Sequence, residues 1–110
     1  MLKLDSQIRQ VADLPGHFTL IREMGCTEKE FLYWMPGALG TETYVKSGSE
    51  ISLKQAELFI RICFKTMEPR RIALVSIPRL RVSFHFETLE PQTIALFLKR
   101  FDSYTRRGGG

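Results

Sequence analysis

The sequence predicts an α+β fold: an antiparallel β-sheet of four to five strands in a meander, with a C-terminal amphipathic helix and short N-terminal helices packed on one face. Two patterns and one physical requirement lead there. In residues 79–87, RLRVSFHFE, apolar Leu80, Val82, Phe84 and Phe86 alternate with Arg79, Arg81, Ser83, His85 and Glu87, the two-residue period of a strand with one face buried and one wet. In residues 91–105, Ile94, Phe97, Leu98, Phe101 and Tyr104 recur at helical spacing behind Pro91, which a first helical turn tolerates. Each oily stripe needs a cover, and each supplies one for the other. Burying four such strand side chains is worth on the order of 6 to 12 kcal/mol as an upper estimate, enough to decide that the helix lies across the strand.

Along the chain, SQIRQVADLPG places Ile8, Val11 and Leu14 at helical spacing before Pro15-Gly16, which reads as a short helix. HFTLIREMG sets Phe18, Ile21 and either Leu20 or Met24 on one helical face, with Gly25 at a capping position, and a second short helix is expected, a strand being the less regular alternative. In TEKEFLYWMPG, Thr27 and Glu30 form the S/T-x-x-E capping box, so a helix should run from about Glu28 to Met35 and close at Pro36-Gly37. TETYVK and EISLK read as strands joined by a hairpin through Gly48. Residues 57–66 fit a strand, with Ile60, Ile62 and Phe64 opposite Arg61, Cys63 and Lys65, or a helix with Leu58, Phe59, Ile62 and Cys63 on one stripe; β-branched and aromatic residues favour the strand. EPRR is read as a turn, IALVSI as a strand in the middle of the sheet, and Pro78 as a tight turn or bulge before RLRVSFHFE.

The chain has 110 residues, 44% hydrophobic and 25% charged, the composition of one soluble domain. A single domain is expected over residues 1–105, with RRGGG at 106–110 a flexible basic tail. No apolar run approaches the roughly 20 residues of a spanning helix, and Asp5 interrupts any leader of signal-peptide type. The expectation is a cytoplasmic protein without a membrane partner, with Cys26 and Cys63 as free thiols. The net charge of +4 is unevenly spread, −2 over residues 1–57 and +6 over residues 58–110, which suits an anionic partner.

The wet face of RLRVSFHFE is therefore the leading candidate surface. Arg79, Arg81 and His85 share it, and a neighbouring strand adds Arg61 and Lys65; guanidinium forks on a sheet recognise carboxylates or phosphates. The simpler account is that any wet sheet face carries polar side chains. A non-enzymatic binding protein contacting an acidic protein or another anion is the first reading. The alternative is a nucleic-acid module using the same face with Lys99, Arg100, Arg106 and Arg107, although aromatic stacking residues are missing among the charges. A second alternative is an apolar-ligand carrier with a pocket lined by Phe84, Phe86, Phe97 and Phe101.

Tyr33 and Trp34, in a segment apolar all round, form a candidate protein-contact patch through which weak self-association is conceivable. An enzyme would centre on Cys26, placed before a helix N-terminus, or on His85. Nucleophile-elbow and phosphate-loop motifs are missing, and His17, Cys26, Cys63 and His85 lack the paired spacing of a zinc site. No catalytic residue, metal or cofactor is predicted.

Overall fold

The computed structural model describes residues 9–10, 16–41, 43–55, 57–88 and 90–105. In chain order these form β1 (Arg9–Gln10), β2 (His17–Met24), α1 (Glu28–Leu39), β3 (Val45–Ser47), β4 (Glu50–Gln55), β5 (Leu58–Ile72), β6 (Val75–Glu87) and α2 (Pro91–Thr105). The strands make one six-stranded sheet in the order β1-β2-β6-β5-β4-β3, every neighbouring pair antiparallel. Strands β3 to β6 are a meander, whereas β2 pairs with the far side of β6 and reaches β3 through α1. The class is α+β, as the sequence predicts.

One face of the sheet is covered. Leu80, Val82, Phe84 and Phe86 of β6, Ile60, Ile62 and Phe64 of β5, and Ile51 and Leu53 of β4 are all buried. Over them lie Phe31, Met35, Ala38 and Leu39 of α1 and Ile94, Phe97, Leu98 and Phe101 of α2. Phe84 meets Phe101 edge-on with centroids 5.0 Å apart, and Phe97 reaches Phe84 at 6.3 Å and Phe86 at 5.7 Å, favourable geometries for ring pairs. The C-terminal helix thus lies across residues 79–87, and residues 57–66 are strand. The four phenylalanines expected to line a ligand cavity pack against one another instead. Tyr104, expected on the same stripe, is exposed, and Thr105 is buried in its stead.

The Thr27–Glu30 capping box is present in both directions: Glu30 N–H donates to Thr27 Oγ1 at 3.1 Å and Thr27 N–H to Glu30 Oε1 at 2.8 Å. Helix α1 does not close at Pro36, as expected, but runs through it to Leu39. Burial of Ala38 and Leu39 and a bond from Arg100 Nε to the Gly37 carbonyl oppose an interior-proline cost of about 3 kcal/mol. Gly40, at φ 76°, supplies the left-handed cap.

Three further expectations are corrected. Residues 17–24 are a strand, not a helix: Phe18 stands opposite Phe86, Leu20 opposite Phe84 and Arg22 opposite Val82. Ile21, which suggested a helical stripe, is 51% exposed on the other face, so pairing with β6 overrides local periodicity. Within the segment 6–14, expected to be helical, Arg9 and Gln10 pair with Thr19 and Phe18 as strand; the other residues of that segment, and the tail at 106–110, lie outside the described residues.

The third correction concerns EPRR and IALVSI, which form neither a turn nor a central strand. Strand β5 runs through Pro69 to Ile72, Ala73 and Leu74 make the turn, and β6 begins at Val75 and runs through Pro78. Met67 pairs with Arg79 and Arg70 with Ile77, so Glu68 and Pro69 together oppose Pro78. This is a β-bulge, and both prolines sit at it, where no regular ladder bond is lost.

Candidate functional site

Directly paired residues of neighbouring strands project from the same side, so the register lays out the uncovered face row by row. Thr19, His85, Arg61 and Ser52 form one row, Ile21, Ser83, Cys63 and Glu50 the next, and Glu23, Arg81 and Lys65 a third, followed by Arg79 beside Met67. Arg61, Lys65, Arg79, Arg81 and His85, expected on one face, are therefore brought together by β5 and β6.

Their electrostatic roles differ. Arg79 is committed within the fold: its Nε and Nη2 donate to the two carboxylate oxygens of Glu23 at 3.2 and 2.8 Å, and its Nη1 to the Glu68 carbonyl. This hydrogen-bonded pair holds the Glu23 carboxyl below its ordinary range and raises the Arg79 guanidinium. Arg61 leans on Glu50 at 3.8 Å, a loose and half-exposed pair. His85 faces Thr19 Oγ1 at 3.5 Å; partial burial, then the charge of Arg61, lowers its pKa, which favours the uncharged ring. His17, Thr19, Arg61, His85 and Glu87 contribute to a shallow cavity of about 140 Å³ there.

Lys65 and Arg81 stand directly opposite each other, both exposed. Among the described residues neither has a carboxylate within ion-pair distance, since Glu23, the neighbour of Arg81 on β2, gives both oxygens to Arg79. Like charges directly opposed are destabilising in a sheet.

From this row, as its root, the face continues onto a two-stranded ribbon. Strand β2 ends opposite Leu80, and the last bond to β5 from its other side joins Phe64 N–H to the Ser49 carbonyl. Residues 65–81 carry Lys65, Arg70, Arg71, Arg79 and Arg81 against Glu68, a net +4. That equals the charge of the whole chain, so the remaining residues sum to zero. A groove of about 300 Å³, lined in part by Glu23, Met24, Arg70, Ile77 and Pro78, opens where β2 stops beside the ribbon. No family model, curated protein or solved structure matches the chain. The site is therefore read from its own geometry.

The other candidates lie elsewhere. Lys99 and Arg100 belong to α2, in the helical layer on the opposite side of the sheet, and so cannot extend the basic face; Arg106 and Arg107 lie outside the described residues. Tyr33 is 82% exposed while Trp34 is half-buried against the core, which divides the expected patch between solvent and interior. Cys26 is buried, and its thiol is pushed up to about 11, first by burial and then by the Glu30 carboxylate. That is the reverse of an activated nucleophile. Cys63 is raised as well, by burial and by Glu50. Among the described residues no three His, Cys, Asp or Glu side chains converge as metal ligands. Sequence reasoning missed the ribbon, whose signal was the cluster of arginines around two prolines in residues 69–79.

Proposed function

We propose that this chain is a non-enzymatic binding protein whose uncovered sheet face, centred on Lys65 and Arg81 with Arg61 beside them, contacts an acidic protein surface. The observation that carries the reading is the opposed Lys65–Arg81 pair, without a carboxylate partner among the described residues, at the root of a ribbon whose net charge equals that of the whole chain. Lysine and arginine stems present mobile cations to carboxylates spaced along a partner, and such contacts chiefly set association rate and orientation. A nucleic acid is the second reading, because a two-stranded ribbon has dimensions the major groove admits. The uncovered face offers little for base stacking, with Phe59 its one aromatic side chain among the described residues.

The test is fluorescence anisotropy with labelled polyglutamate, and with single- and double-stranded oligonucleotides of matched charge, over a salt series. Affinity for polyglutamate that falls with salt, and is lost in the double variant Lys65→Glu/Arg81→Glu, supports the proposal. Tighter oligonucleotide binding with a steep salt slope transfers support to the second reading. Undiminished binding by the double variant, or none by the native chain at low salt, overturns the face as a site.

A further inference from the structure

Where the β5–β6 ribbon ends, three aliphatic side chains stand in water. Leu74 is 103% exposed, Val75 58% and Ile72 54%, and Arg70 and Arg71, both exposed, lie immediately behind them. Beyond Phe64 on β5 and Leu80 on β6, the two strands have no ladder neighbour among the described residues except each other. The tip thus projects past the last ladder neighbours of the ribbon, with Leu74 fully in solvent, while Arg70 and Ile72 still border the groove beside Met24 and Gly25. An apolar cluster in that position is costly in water, and the anion contact at the ribbon's root makes no use of it.

We propose that the tip is a shallow anchor for an anionic lipid bilayer: Ile72, Leu74 and Val75 enter the boundary of the acyl chains while Arg70 and Arg71 meet the headgroup phosphates. The spacing fits. Ile72 pairs with Val75 and Arg70 with Ile77, which sets Arg70 about 6 to 7 Å behind the apolar pair along the strand. Interfacial segments bury their apolar side by roughly 5–10 Å, so the arginines arrive at the charged level as the aliphatics leave water. The negative surface of such a bilayer complements a ribbon of net +4.

Charge and chemistry disfavour the other occupants. A second copy would bring another ribbon of net +4 against the first, and Pro69 and Pro78 interrupt the backbone donors that edge-to-edge pairing needs. A nucleic acid satisfies the arginines but, apart from thymine methyls, shelters aliphatic side chains little unless its bases unstack. The apolar tip, IALV at residues 72–75, holds no aromatic anchor of the kind that commonly fills a protein socket. The sequence-based expectation of no membrane partner rested on the shortness of apolar runs. Among the described residues no helix is long and apolar enough to cross a membrane, and surface anchoring requires none.

The experiment is co-sedimentation of the full chain with vesicles of phosphatidylcholine alone and of phosphatidylcholine with about 30% phosphatidylserine, the mixture that supplies the anionic field. Binding is expected to the anionic vesicles only. Leu74→Asp, at a position without packing to lose, should abolish it, and Arg70→Glu should weaken it by about fivefold or more. A fluorophore on Leu74→Cys should shift to the blue on anionic vesicles. The proposal is overturned if the native chain ignores anionic vesicles, if Leu74→Asp binds them as well as native, or if the fluorophore shows no shift. Self-association lost on Leu74→Asp, seen by sedimentation velocity without vesicle binding, would assign the tip to a second copy and overturn it too. Leu74→Asp should leave polyglutamate binding unchanged, so this inference and the proposed acidic-protein contact fail separately.

Discussion

Lys65 of β5 and Arg81 of β6 are direct cross-strand partners on the uncovered face, and the carboxylate nearest in register, Glu23, is taken by Arg79. The arrangement trades stability for a concentrated positive field. Lys65→Glu, which turns the repulsive pair into an attractive one, is expected to raise unfolding stability by about 0.2–1 kcal/mol in urea denaturation, while lowering affinity for an acidic probe. A variant both less stable and less able to bind would contradict this account.

His85 predicts a pH dependence whose sign follows from its environment. Burial and Arg61 depress its folded pKa below the ordinary 6.5, so the native state disfavours the extra proton. The resulting stability is present above 6.5 and is lost as pH falls through the lowered folded value. Thermal melts should therefore decline from pH 7 toward pH 5 more steeply in the native chain than in His85→Gln.

In the core, Phe84 lies beneath α2, in ring contact with Phe86, Phe97 and Phe101. Phe84→Ala leaves a void that these neighbours cannot fill without moving, and about 3–5 kcal/mol should be lost. Chemical denaturation measures it. A loss under 1 kcal/mol would mean that α2 is not seated where the ring geometry places it.

Two backbone positions predict changes of opposite sign. Gly40 caps α1 at φ 76°, and alanine there should cost about 1 kcal/mol. Ala73 occupies φ 54° in the ribbon turn, and glycine should gain about 1 kcal/mol by removing the Cβ conflict. Both are read from denaturation midpoints.

Cys26 should resist alkylation in the folded protein at pH 8, because burial holds its thiol protonated up to about 11. Mass spectrometry should find it modified only on unfolding.

Much of this architecture was legible, for reasons that individual residues make plain. RLRVSFHFE and the stripe from Ile94 to Phe101 each fit one period only, and their mutual burial followed. Thr27 and Glu30 announced α1 because their bonds are local. The segment from Phe18 to Met24 carries apolar residues compatible with both periods, and only its partner β6, far along the chain, decides between them. The ribbon was obscured by its own construction: the bulge at Glu68–Pro69 switches which alternate residues share a face, Pro78 imitates a break, and its turn uses Ala73 where glycine or asparagine would have signalled it. The apolar IALVSI resembled an interior strand and proved to be a tip in solvent. The basic face was readable as a set of residues, but not the commitment of Arg79 to Glu23, which depends on strand order.

The placement of β2 beside β6 also dictates a schedule for synthesis. Thr19 and His85, which face each other across that pair, are 66 positions apart, so at roughly 5–20 residues per second an emerging β2 waits several seconds for its mate. The hairpins from β3 to β6 join consecutive strands and have little loop to close. If the β3–β6 meander forms first, β6 is the edge onto which β2 is then added.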